Sequence, residues 1–89
     1  MSKSRRGVLE IKMDLLENAV RHAEGITRMM HSCNLSYLTL KRYVQELTAS
    51  NLLSEVLVRQ KYRVARGYAV TEKGLRALHL YRESSQLLN

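Results

Sequence analysis

The chain is most constrained between Cys33 and Tyr37. One apolar-periodic stretch stops at Cys33 and another starts at Tyr37, and Asn34, Leu35 and Ser36 lie between them. Asn tolerates the left-handed conformation that ends a helix. Ser36 can accept a hydrogen bond from an orphan amide of a new first turn, while Leu35 and Leu40 stand at the spacing of a hydrophobic staple that sets the entry angle. Two short helices joined by so tight a turn form either a helix-turn-helix or a plain helical hairpin. Asn51 tilts the balance to the former, because it offers a second left-handed cap and Leu52 and Leu53 then return the chain to the core.

Periodicity supplies the remaining elements. The spacing predicts a first helix over 8–21, with Val8, Ile11, Leu15 and Ala19 on one stripe, Leu16 and Val20 beside it, and Glu10, Asp14 and Glu17 turned outward. Gly25 breaks that pattern. A second helix over 26–33 turns Met29, Met30 and Cys33 inward and Arg28 outward. The third, over 36–50, buries Leu40, Val44 and Leu47, holds Tyr37 and Tyr43 at its edges, and shows Leu38, Thr39, Lys41, Arg42 and Gln45 on its outer face. No acid occurs from Gly25 to Gln45, which suits an anionic partner, although a solvated basic face looks the same.

After Leu53 the period changes. Residues 55–60 are rich in branched side chains and read as a strand, 68–70 as its short partner, and 61–67 as a basic loop with interleaved Tyr62 and Val64, in which Gly67 permits strained backbone. Thr71 then caps a helix over 72–88, Glu72 complements its dipole, and Gly74 implies close packing. Gly74, Leu78, Tyr81, Ser85 and Leu88 recur at spacings of four and three, and Leu75, Leu80 and Leu87 widen the apolar surface beyond one stripe. That surplus predicts a second subunit, with Leu78, Tyr81, Ser85 and Leu88 as the dimerisation seam.

Charge narrows the class of partner. Fifteen Lys and Arg against eight Asp and Glu give a formal charge of +7 over 89 residues, which favours nucleic acid or an anionic membrane surface. The apolar runs are too short to span a bilayer, and the basic arm at 1–7 has no apolar signal region behind it, so an intracellular, cytoplasmic protein is expected. Such an arm is expected to be mobile, and arms of this kind either follow a phosphate backbone or are simply disordered. Cys33 is the only cysteine, which excludes an internal disulfide and points to a small core residue. His22, His31 and His79 lack the paired spacing of a zinc site. Without a phosphate-binding Gly-rich loop or a convergent nucleophile, base and acid, the expectation is binding rather than catalysis, with no cofactor.

The order of Leu35 and Ser36, Leu40, Val44, Leu47, Leu52 and Leu53, then the basic hairpin, then Val70, Thr71, Glu72, Lys73 and Gly74 resembles the winged-helix regulators of bacteria and archaea. More narrowly, Leu9, Glu10 and Ile11, Thr27, Arg28 and Met30, and Asn34 to Tyr37 with Arg42 and Tyr43 are similar to the small basic winged-helix DNA-binding proteins of archaea. The resemblance spans 8–89 and implies an α+β, mainly α, winged helix-turn-helix fold: three helices, a two-stranded wing and a C-terminal helix. It further implies a homodimer joined through that last helix, binding double-stranded DNA as a nucleoid-associated or transcription-regulating protein. Carried onto this chain, the recognition helix is 36–50 and the wing 59–67.

On that reading Arg28, Lys41, Arg42, Arg59, Lys61, Arg63 and Arg66 neutralise phosphates, while Tyr37, Leu38, Thr39 and Gln45 lie nearest base edges with Ser36 at the head of the same surface. The rival expectation is a winged-helix module that docks on a protein in a transcription or viral assembly, for which an exposed Leu38 speaks. RNA binding is a third.

Overall fold

A computed structural model describes residues 7–21, 25–59 and 61–88 of the chain, without the side chains of Arg21, Ser85 and Leu88. They form α1 (Val8–Arg21), α2 (Ile26–Cys33), α3 (Tyr37–Ala49), β1 (Leu53–Arg59), β2 (Val64–Val70) and α4 (Glu72–Leu88). The basic arm expected at 1–7 falls, apart from Gly7, outside the described residues, as does His22.

The α2–α3 turn follows from local chemistry. Asn34 adopts φ 56° and ψ 52°, and its amide donates to the Met30 carbonyl. The Leu35 amide donates to that carbonyl as well, at 3.1 Å, so an acceptor that α2 leaves orphaned is used twice. Ser36 opens α3: its Oγ accepts the Thr39 amide at 3.3 Å and its hydroxyl donates to Thr39 Oγ1 at 3.0 Å. Asn51 repeats the left-handed stop at φ 64°, and the Leu52 amide donates back to the Leu47 carbonyl at 2.9 Å.

The helices close around one core made of Met13, Leu15, Leu16 and Ala19 from α1, Met29 and Cys33 from α2, Leu40, Tyr43, Val44 and Leu47 from α3, Leu53 from β1 and Leu78 from α4. Truncating a fully buried member such as Leu40 to Ala is expected to cost about 2–5 kcal/mol, a large share of the stability of a small domain. Two expectations for α1 are corrected. Val8 is exposed because residues 7–10 project past the packed part of the helix, and Val20 is exposed at its other end. Met13, which the stripe leaves out, is buried in the core. Glu17, expected to face only water, pairs with Arg82 of α4.

The hairpin also differs from its expected form. β1 and β2 pair antiparallel from Leu53↔Val70 to Arg59↔Val64, so β1 starts at Leu53 and β2 starts at Val64 instead of 68. The segment between the strands is thus 60–63, not 61–67. Pairing with β1 satisfies the backbone that the basic residues made look irregular, since each Arg needs only its side chain in water. Gly67 is buried in β2 opposite Val56, and no glycine among the described residues has positive φ. The strained backbone expected there does not occur.

The start of α4 is stapled to the end of α3. Thr71 donates its hydroxyl to the Asn51 carbonyl at 2.6 Å and accepts the Gly74 amide at 3.0 Å, while Lys73 Nζ donates to the Ser50 carbonyl at 3.0 Å. A Cβ at Gly74 would collide with the Leu52 carbonyl oxygen and come within 2.7 Å of Val70 Cγ2. The run Thr71 to Gly74 is therefore a packing and capping device. Farther along α4, Leu78 is only 2% exposed and Tyr81 packs against the core. Leu78 is therefore used by its own chain, which removes it from the expected dimerisation seam, whereas Tyr81 is half-buried. The side chains of Ser85 and Leu88 lie outside the described residues.

Candidate nucleic-acid interface

Because α3 spends Leu40, Tyr43, Val44 and Leu47 on the core, the helical period turns Leu38, Lys41, Arg42 and Gln45 outward. Leu38 is 76% exposed. Thr39 is half-buried and its hydroxyl oxygen is bonded to Ser36. Both residues therefore serve first as the helix cap, with Ser36 still exposed. Arg28 is exposed on α2.

A four-residue cluster fastens α3 to α1. Lys12 reaches from α1 to the Glu46 carboxylate at 2.8 Å, and Arg42 lies 3.9 Å from the same group. Both cations stand over the Tyr43 ring, Lys12 at 5.9 Å and Arg42 at 5.5 Å, within cation–π range. The hydrogen bond from Lys12 and the charges of Lys12 and Arg42 hold the Glu46 pKa below its ordinary value against a smaller opposing effect of desolvation. Arg42 thus has its charge partly answered within the protein.

On the hairpin, Arg59, Lys61, Arg63 and Arg66 are all exposed. Lys61 lies 5.5 Å from the ring of Tyr62, which is 88% exposed at the tip. Arg66 sits in β2 opposite Leu57, two residue pairs along the ladder from Glu55 and on the same face, and the Glu55 carboxylate is 3.6 Å away. α3 and the hairpin meet in a cleft lined by Tyr37, Lys41 and Gln45 from the helix and by Glu55, Arg66 and Tyr68 from the strands. Lys41 Nζ is 5.7 Å from the Tyr37 ring centroid. The two elements therefore share one side of the molecule, bringing Lys41, Gln45 and Arg66 together. Arg28 is not among the residues lining that cleft.

A helix-turn-helix followed by a two-stranded hairpin and a packing helix matches the family model described as winged helix-turn-helix over residues 5–89. The chain belongs to that family. No curated protein matches it closely. Among solved structures, this winged helix is similar to Sso10a-2, a DNA-binding protein from Sulfolobus solfataricus, at 26% identity and a TM-score of 0.74, covering 92% of this chain and 81% of that one. It is similar in fold to smu.1704 from Streptococcus mutans, at 15% identity and a TM-score of 0.85, covering 98% and 86%. It also resembles in fold ZitR, a zinc-responsive MarR family member from Lactococcus lactis, at 15% identity and a TM-score of 0.69, covering 98% and 61%. Among the described residues, no helix is long and apolar enough to cross a membrane.

Sequence reasoning passed over Lys12, Glu46, Glu55 and Tyr68. The signal for Glu55 was present: a hairpin turn placed at 60–63 sets Glu55 against Tyr68 and beside Arg66. Lys12 and Glu46 had no such signal, since only the packing of α1 on α3 brings them together.

Proposed function

We infer that the chain binds double-stranded DNA as a transcriptional regulator or chromatin-associated protein, with residues 36–50 in the major groove and the wing at 59–67 on the backbone or in the minor groove. The observation that carries this reading is the common cleft of α3 and the hairpin, with Lys41 and Arg66 on its two walls. A duplex needs cations from both elements on one side, because the backbone runs between the groove a helix reads and the groove a wing reaches. The formal charge of +7 and the similarity to Sso10a-2, a DNA-binding protein, support the same conclusion.

Phosphate contacts then come from Lys41, Arg59, Lys61, Arg63 and Arg66, with Arg42 weakened by Glu46 and Arg28 at the margin. Tyr37, Leu38 and Gln45 stand nearest base edges, and Thr39 contributes its methyl group while its hydroxyl oxygen accepts from the capping Ser36. Leu80 and Leu87 stay exposed on α4, seven residues apart. That spacing forms a self-complementary strip through which two copies pair.

Titration of a random-sequence duplex over a range of salt tests the reading. With about five to eight phosphates contacted, log affinity falls against log salt with a slope of roughly −5 to −7. Weak binding with a flat slope overturns it in favour of a protein-docking module built on exposed Leu38 and Leu57.

A further inference from the structure

The cleft between α3 and the hairpin is more elaborate than a phosphate contact requires. Its volume is about 240 Å³, and besides Lys41 and Arg66 it contains the rings of Tyr37 and Tyr68, the Gln45 amide and the Glu55 carboxylate. Val44 and Ile26 supply an apolar side. A bare backbone phosphate would use the two cations, be repelled by Glu55, and leave the rings and amide idle. A simple organic acid meets the same objection.

One class of ligand satisfies every wall. A planar heterocycle packs against tyrosine rings, an exocyclic amino group donates to a carboxylate or an amide oxygen, and an attached phosphate meets Lys41 and Arg66. The volume lies below the roughly 300–1,000 Å³ of pockets for drug-sized molecules, which suits a single ring system. Burial and the nearby Glu55 raise the Tyr68 pKa, so its phenol stays protonated as a donor to a ring nitrogen or carbonyl.

We propose that this cleft is a nucleotide site that takes one unpaired nucleobase together with its phosphate, supplied by an extruded position in DNA or by a free nucleotide. The location rests on the DNA-binding reading, whereas the chemistry of the cleft does not. Bases carrying an amino group are preferred, because thymine can meet the Glu55 carboxylate only through its N3–H, which lies between two carbonyl oxygens that the carboxylate repels.

Three probes test this with the full chain: a fully paired duplex, the same duplex with one bulged adenine, and deoxyadenosine monophosphate alone. The bulged duplex is expected to bind about tenfold tighter than the paired one, the scale of one base–aromatic stack, and a bulged thymine less tightly than adenine. Tyr68→Leu, which keeps apolar packing, reduces that preference to under about twofold while paired-duplex binding persists. Glu55→Ala, at an exposed strand position, erases the difference between adenine and thymine. Mononucleotide binding that shifts the Tyr37 and Tyr68 ring resonances without any bulge preference supports the site and assigns it to free nucleotide. Mononucleotide binding without any duplex binding upholds the site and rejects the DNA reading. Equal affinity for both duplexes with no response to the mononucleotide overturns the proposal.

Discussion

The amino end of α4 and the tip of the hairpin each carry a lysine, and the two are put to opposite uses. Thr71 and Lys73 spend their polar atoms on backbone carbonyls at the end of α3, and Gly74 is pressed against the Leu52 carbonyl. At the tip, Lys61, Tyr62 and Arg63 are exposed, and Lys61 stands over its neighbour's ring. A lysine at one end is part of the scaffold and a lysine at the other is available to a partner. Charge counted along the sequence does not separate the two, and hydrogen bonding does.

Substitutions at the two ends should separate stability from binding. The largest effect is expected for Gly74→Ala, which places a methyl group against backbone and should lower stability by about 3 kcal/mol, at the upper end of overpacking costs. Chemical denaturation measures it, and a loss under about 0.5 kcal/mol would mean that the close approach is not needed. Thr71→Ala removes a cap and should cost about 1–2 kcal/mol, with duplex affinity of the folded protein unchanged. The change Lys61→Ala should leave stability within about 0.5 kcal/mol while reducing the salt slope of duplex binding by about one. A slope that does not move would place the tip away from the backbone.

The smallest effect is expected at Glu46. Its pKa is depressed chiefly by Lys12, so the pair supports the fold above the ordinary carboxylate pKa and that support fades as pH falls through the lower, folded value. Melting curves of the wild type and Glu46→Gln should therefore converge on acidification. Around neutral pH, the same variant leaves Arg42 without its internal partner and should tighten duplex binding slightly.

Much of the fold was legible because its punctuation is local. Asn34, Ser36, Asn51 and Thr71 each act on backbone groups a few residues away, so their roles follow from residue type and place. The start of β2 was hidden because Val64 to Gly67 gains its regularity only from pairing with β1, a non-local event. Leu78 was misassigned for a related reason: a heptad-like spacing shows that a face is apolar but not whether its own domain or another chain covers it. At the interface, the exposed face of α3 and the basic hairpin could be read from periodicity and charge. The carboxylates of Glu46 and Glu55, which moderate the neighbouring cations, came into view only with the tertiary arrangement.

The bonds from Thr71 and Lys73 have a mechanical consequence. α4, seventeen residues long, extends for about 26 Å, and its root is tied to the final turn of α3. Whatever grips its distal end holds a long handle on α3, and a small tilt imposed there is delivered to that helix as rotation instead of being lost in a slack joint.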